Sequence, residues 1–524
     1  MYGTSEGRRT GGFRVHLDAL ENKVMATEHR EIETTYDVDE AAALPALDGL
    51  PDVDHVDGPR SVRLEARYFD TEDQALGRRG ITLRRRTGGD DEGWHLKLPV
   101  TGARQEIQAP LGRTVHTPPL ALRRVVQGVL RDQVLGQVAT ITTERTTASL
   151  LGASKSLLAE VCDDRVTATR AGPDGTEDHA WREWEVEVHG ARPRLTKALD
   201  KRMRKAGAEE ASGRSKFGRL MQLDAGAPPD ERLDIDEGAT ERELLAWHLT
   251  LLVGDLHRVD PMARADIPDA VHQLRIAIRR MRSALTSFDA CFDSALTDAI
   301  RDELRWIGDI LGSPRDLEVL QSRLGGLLST LPPGLVRARP GSWINANLRA
   351  ARRSAHKDVL EAMASDRYFS LVDSLDSWLV DPPWSDRKDR RASKALPKLL
   401  GHEWARVEKA VQKADAAGEI ERPELLHQVR KRAKKARYVA EALQPVLGPD
   451  ARDSAKAAKK VQRSLGAHHD TLLAIEYVLD LAATAHDDGR DTFTFGVLLA
   501  RLESELAEHD RAFRRTWKKL RPRE

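Results

Sequence analysis

Glutamates recur at every second position in two stretches of this chain, and basic residues do so in two others. Glu31, Glu33, Thr35 and Asp37 interleave with Ile32 and Val38, and Glu183, Glu185 and Glu187 with Trp184, Val186 and Val188. Arg84 and Arg86 oppose Leu83, and His95 and Lys97 oppose Leu96 and Leu98. Residues two apart on a strand point to the same side, so each segment has one ionic and one apolar face. Any antiparallel sheet with a wet face and a core face shows that alternation. The mixture points to chemistry, because some strands offer only carboxylates and others only cations. Carboxylates are hard oxygen ligands for Mg²⁺ or Mn²⁺. Arg and Lys hold phosphate oxygens through charge-assisted hydrogen bonds. A metal triphosphate needs both at close range, since phosphoryl transfer is catalysed mostly by positioning and charge stabilisation.

A second constellation is an internal repeat. Val271–Arg282 reads VHQLRIAIRRMR and Leu426–Arg437 reads LHQVRKRAKKAR, so His272, Arg275, Arg279 and Arg282 correspond to His427, Arg430, Lys434 and Arg437 at an offset of 155. Leu311–Asp316 (LGSPRD) and Leu465–Asp470 (LGAHHD) match at an offset of 154. The spacing puts each basic set on one stripe of a helix, where like charges repel. Neither stripe contains an acidic residue, and a polyanion would relieve the repulsion. A solvated basic face, or pairing with neighbours such as Asp316 and Asp470, is the plainer alternative; the duplication favours anion binding. His468 and His469 are adjacent and so do not share a helix face, which argues against joint metal chelation.

The elements that position these residues follow from the rest of the chain. Its 524 residues suffice for two or more domains. Residues 1–28 lack a pattern and are expected to be disordered. From 29 to 223 short alternating runs, separated by Gly and Asp clusters, predict β-strands. They cover Glu31–Val38, Ser61–Phe69, Ile81–Arg86, His95–Leu98, Thr140–Ser149, Leu157–Cys162 and Trp181–Val188, with helices at Leu120–Leu130 and Arg194–Lys205. Residues 224–238 read as a linker, and 239–524 as long amphipathic helices broken at Leu331–Gly341, Asp381–Ser393 and His486–Asp491. Net charge is zero, with 83 basic and 83 acidic residues, so a charge-based function must come from local clusters. Two distant cysteines fit a reducing compartment. No apolar run reaches the roughly 20 residues of a membrane span, and no signal-peptide core is evident. A cytoplasmic protein is expected, and no Walker A loop or G-x-S-x-G elbow is present.

The first half resembles the CYTH domains, the triphosphate tunnel metalloenzymes. Glu31-Ile-Glu33 matches the start of their E-x-E-x-K opening. Tyr68-Phe-Asp-Thr71, Leu83-Arg-Arg-Arg86, Trp94-His-Leu-Lys97, Arg104-x-Glu106, Glu144-Arg145, Asp163-Asp164, Glu183-Trp-Glu185-Val-Glu187 and Ser215-Lys216 follow in family order. The resemblance implies an antiparallel eight-stranded β-barrel tunnel. It implies hydrolysis of tripolyphosphate, thiamine triphosphate or nucleoside triphosphate ends, with cyclisation of ATP in a few members. Glu31, Glu33, Asp163, Glu183, Glu185 and Glu187 would bind Mg²⁺ or Mn²⁺. Arg84, Arg86, Lys97, Arg145 and Lys216 would grip the phosphates, and Glu31, Glu33, Lys97 and Arg145 would be catalytic. The family lysine is Thr35 here, which removes a charge.

The second half resembles the CHAD domain, a conserved-histidine α-helical domain. That resemblance implies two related helical bundles and polyphosphate binding in a basic channel, with association with polyphosphate granules in some members. Its ligand residues would be His272, Arg275, Arg279, Arg282, Arg315, His427, Arg430, Lys434, Arg437 and His469. The joint expectation is an α+β multidomain protein that hydrolyses tripolyphosphate or polyphosphate ends. The alternatives are a non-catalytic polyphosphate-binding protein and a class IV type adenylate cyclase. Neither a membrane nor a nucleic acid is the expected partner.

Overall fold

The computed structural model describes residues 15–16, 25–29, 31–100, 103–172, 175–211, 215–222 and 235–520. Chain contacts define two compact units: Met1–Pro228 with His257–Ala270, and Pro229–Leu256 with Val271–Glu524. Of the expected linker 224–238, residues 224–234 fall outside the described residues.

Among the described residues the first unit is built on one sheet of eleven strands: β1 (Val15–His16), β2 (Met25–His29), β3 (Glu31–Asp37), β4 (His55–Asp70), β5 (Thr82–Thr87), β6 (Gly93–Val100), β7 (Ala103–Ala109), β8 (Gly136–Leu151), β9 (Leu157–Gly172), β10 (Gly175–His189) and β11 (Glu209–Glu210). The order is β1-β2-β7-β6-β5-β4-β8-β9-β10-β3-β11. Two expectations are corrected here. Among the described residues the strand number is eleven rather than eight, and no pairing joins β1 to β11 to close a barrel. Within 1–28, expected to be disordered, residues 15–16 lie in β1 and 25–28 in β2, which pairs with β7, Thr27 opposite Glu106; the rest of that stretch lies outside the described residues.

One face of the sheet packs a core. Tyr36, Trp184, Val186, Val161, Ala159 and Leu150 meet Leu195, Leu199 and Met203 of helix α3 (Pro193–Lys205). These three are spaced four apart and lie on one stripe. Two short helices, α1 (Leu120–Val125) and α2 (Gln127–Leu130), precede β8. The opposite face is ionic at one end and apolar at the other. Along β9 it runs Asp164, Val166, Ala168, and along β8 Arg145, Thr143, Ile141, Ala139. Helix α4 (Lys216–Leu220) caps the apolar end, with Phe217 and Leu220 against Ala66, Tyr68, Ile141 and Val166. The Phe217 and Tyr68 rings stack at 4.6 Å, a contact worth about 1 kcal/mol beyond area burial.

The second unit is helical among its described residues apart from connecting segments: α5 (Glu241–Arg264), α6 (Ala270–Ser287), α7 (Ser294–Ile310), α8 (Gly312–Thr330), α9 (Pro340–Met363), α10 (Asp366–Val380), α11 (Ala392–Ala395), α12 (Pro397–Ala416), α13 (Arg422–Ala442), α14 (Gln444–Ser464), α15 (Gly466–Asp487) and α16 (Phe493–Leu520). The C-terminal part of α5 groups with the first unit. One core joins Leu324, Ile344, Leu348, Val478, Leu498 and Leu502; another joins Val411, Leu426, Val429, Ala433, Val461 and Phe513. The repeat is structural, with the two basic stripes on α6 and α13. Leu311 and Leu465 each stand between consecutive helices, α7/α8 and α14/α15. Among the described residues no helix is long and apolar enough to cross a membrane.

Candidate functional site

Strand register assembles the ionic end of the sheet. Glu183 pairs with Asp164 and Asp37, Asp164 with Arg145, and Glu185 with Cys162 and Thr35. Residues paired in this way sit side by side on one face. The carboxylates of Asp164, Glu183 and Glu185 offer oxygens within 4.8 Å of one another. Asp164 is completely shielded from solvent. Two cations answer this charge. Arg145 donates from Nε and Nη2 to the two Asp164 oxygens at 2.8 and 2.6 Å, and Nη2 also reaches Glu185. Lys216 Nζ lies 2.8 Å from Asp164 and 2.5 Å from Glu183, and donates to Glu185.

Lys216 is delivered there by α4. The Ser215 hydroxyl accepts the Gly218 backbone N–H at 3.1 Å, capping a helix too short to hold itself. Burial disfavours the Glu185 carboxylate, but Lys216 and Arg145 outweigh it and hold Glu185 well below the usual range. Burial, with Glu185 beside it, pushes Glu183 up. Glu183 also accepts the Trp181 indole N–H at 2.6 Å. Burial lifts the neighbouring Cys162 thiol to about 11, which leaves it protonated.

Cations gather on the adjoining strands. Burial lowers Arg86, and the neighbouring Arg84 and Arg145 add to the effect, so three guanidinium groups crowd together. Arg84 Nε is buried without a hydrogen-bond partner, while Arg86 donates to Asp91 at 2.6 Å. His95 is locked between Glu106 at 2.6 Å and the Asp91 carbonyl at 2.9 Å. Lys97 lies 3.7 Å from Glu106. Burial opposes ionisation of Glu106, but His95, Lys97 and Arg84 together hold it down to about 2.

The residues expected at this site divide into groups. Glu183, Glu185, Arg145 and Lys216 come together, and Arg84 and Arg86 stand near Arg145. Asp163 does not join them. It takes both Arg182 hydrogen bonds, at 2.8 and 2.7 Å, and Arg182 also donates to the carbonyls of Glu40 and Ala42. Its neighbour Asp164 occupies the site instead, because alternation along β9 turns adjacent residues to opposite faces. Glu187 lies one pair further along, opposite Glu33 and Glu160, and Glu31 is opposite His189. The side chains of Glu31 and Glu33 lie outside the described residues. Thr35 stands opposite Glu185, whose charge Lys216 and Arg145 already balance. Within the Tyr68–Thr71 motif, Asp70 shapes the loop that follows: it accepts the backbone N–H groups of Thr71, Leu76 and Gly77.

In the helical unit the two stripes are chemically unequal. On α6, Arg275 donates to Asp316 at 3.0 Å and to the Gly312 carbonyl at 3.3 Å. On α13, the equivalent Arg430 has Nε and Nη1 buried without partners. Arg279 donates to the Tyr438 hydroxyl at 3.1 Å, linking the stripes, and Arg437 lies 3.3 Å from Glu441. Burial lowers Arg282, with Arg305, Arg279 and Arg275 adding to the effect. The rings of His427 and His469 sit 4.3 Å apart. Burial takes His468 down to about 4; Asp510 opposes this, and His509, Arg422 and His427 add to it. His272 lies on the α6 stripe; the Arg315 side chain lies outside the described residues.

Comparison with known proteins agrees with both halves. A CYTH domain family model matches residues 10–217, and a CHAD domain model matches 248–479. An uncharacterized protein of Mycobacterium tuberculosis is 36% identical over 507 residues, covering 92% of this chain and 94% of the relative. Among solved structures, PptA from Streptomyces chartreusis is similar at 22% identity and a TM-score of 0.46, covering 53% of this chain and 100% of its own. The CHAD domain from the plant Ricinus communis is similar at 27% identity and a TM-score of 0.44, covering 55% of this chain and 95% of its own. The chain belongs to the proteins that join a CYTH domain to a CHAD domain.

Proposed function

We propose that the sheet unit is a divalent-metal-dependent phosphohydrolase acting on inorganic tripolyphosphate or polyphosphate ends, and that the helical unit binds the polymer. The observation that carries this reading is the juxtaposition of three carboxylates within 4.8 Å with the guanidinium of Arg145. Three oxygen donors suit Mg²⁺ or Mn²⁺, and Asp164, Glu183 and Glu185 would hold the ion. When bound there, it supplies charge stabilisation at a phosphoryl oxygen. Arg84, Arg86 and Arg145 receive the phosphates, since three crowded guanidinium groups gain from an added anion. Lys216 moves from its carboxylates toward the same phosphates. The basic stripes of α6 and α13 hold the polymer chain, which raises its effective concentration around the sheet unit.

The test is separation of the two activities. Glu185→Gln is expected to lower metal-dependent phosphate release from tripolyphosphate at least about 100-fold while long-chain polyphosphate still binds. Undiminished release by Glu185→Gln would sink the assignment of this site. A second reading, a non-catalytic polyphosphate binder, is favoured by one observation: Lys216 already pairs all three carboxylates. In that case metal would bind weakly and no phosphate would be released.

A further inference from the structure

Position 434 is the lysine of the α13 stripe, where α6 has Arg279. Arginine stays charged in any protein environment, whereas a buried lysine titrates readily. Facing Lys434 are His427, Arg430 and Arg437 on its own helix, Arg275 and Arg279 from α6, and His469 and Asp470 from α15. Among the described residues no carboxylate lies within ion-pairing distance of Lys434 or Arg430. Glu403 of α12 is taken by Lys435 at 3.2 Å and Arg406 at 2.7 Å, and Glu441 by Arg280 at 3.5 Å and Arg437 at 3.3 Å. The facing carboxylate is Asp470: burial pushes it up, Arg430, Arg323 and Lys434 oppose that, and Asp316 adds to it.

We infer that Lys434 and the unpartnered Arg430 form a proton-coupled anion seat, in which Lys434 gains a proton from solvent when a polyphosphate chain settles there. This deepens the polyphosphate-binding reading and rests on it. Burial first, and then Arg430, Arg279, Arg275 and Arg437, bring Lys434 down to about 6. Near neutral pH the neutral amine of Lys434 is therefore favoured in the free chain. Two or more phosphates at the seat reverse the sign of the local field, and the ammonium form becomes the favoured one. The His427 and His469 rings, 4.3 Å apart, adjoin the seat. Burial, His427, Arg430, Lys434 and His468 take His469 to about 3, so in the free chain it is neutral at neutral pH and has a ring N–H to offer to phosphate. The sign follows from linkage: a group that binds more protons in the complex makes binding tighter as pH falls. One linked proton gives up to about tenfold in affinity per pH unit between the free and bound values.

The experiment is calorimetric titration of the full chain with inorganic polyphosphate of defined length at about pH 7.5. It uses two buffers of unequal ionisation enthalpy and repeats both with Lys434→Arg. The expected result is a binding heat that differs between buffers for the native chain, in proportion to proton uptake. In Lys434→Arg, binding persists and the difference shrinks to the part contributed by the adjoining histidines and the polymer's own terminal phosphates. Equal heats in the two buffers for the native chain would overturn the proton coupling and leave polyphosphate binding standing. A buffer difference that survives intact in Lys434→Arg would overturn the role of Lys434. Absence of any binding would instead overturn the polyphosphate reading, and the seat with it.

Discussion

At the residue scale, the ionic end of the sheet is governed by Lys216. It satisfies Asp164, Glu183 and Glu185 at once, and removing one partner from a buried network leaves the others uncompensated. Lys216→Met is expected to cost about 3–5 kcal/mol without divalent metal. Added Mg²⁺ should restore more stability to this variant than to the native chain, as thermal melts with and without EDTA would show. Equal metal response in both would contradict a shared seat for ammonium and metal. Glu106 offers a pH signature. It is held down to about 2, so its contribution is present above the unfolded carboxylate value near ~4 and is lost as pH falls toward about 2. Glu106→Gln is expected to remove up to about 3 kcal/mol near neutrality and to flatten the acid limb of urea unfolding. The identity of Asp164 was half legible. The Asp163-Asp164 pair is visible in the sequence, but choosing between them needs strand parity, and β9 runs ten residues past the expected end at Cys162. Directly after Cys162, Asp163, Asp164 and Arg165 interrupt the alternation of apolar and polar residues.

At the element scale, the duplicated helix was legible and its asymmetry was not. The stripes on α6 and α13 repeat in spacing and charge, yet only tertiary packing brings Asp316 onto Arg275 while leaving Arg430 bare. The two arginines should therefore respond oppositely to truncation. Arg275→Ala unpairs Asp316 and is expected to lower stability by about 0.5–1 kcal/mol. Arg430→Ala removes an unpartnered buried charge and is expected to leave stability unchanged or raised. Polyphosphate affinity should fall more for Arg430→Ala, by roughly tenfold. Denaturation and binding titrations on the two variants check both halves of this expectation; a larger affinity loss for Arg275→Ala would contradict it. Helix α4 shows another limit. Five residues carry no periodic signal, but the Ser215 cap and the Phe217–Tyr68 stack fix them, and Lys216 depends on that placement. Strand β2 was missed because it is short and its partner β7 lies far away in sequence.

At the scale of the whole molecule, the switch from period two to helical spacing announced the two-part architecture, and the family matches cover both parts. Strand number escaped the sequence, since β1, β2 and β11 are added through pairing rather than through pattern. The central claim is that the Asp164, Glu183 and Glu185 cluster with its guanidinium neighbours is a working metal-triphosphate site. The most direct measurement is phosphate release from inorganic tripolyphosphate by the full chain with Mg²⁺, with Mn²⁺ and with EDTA. Release with a divalent metal and none with EDTA is the expected result, despite the threonine at position 35. A folded chain that releases no phosphate at saturating metal would contradict it.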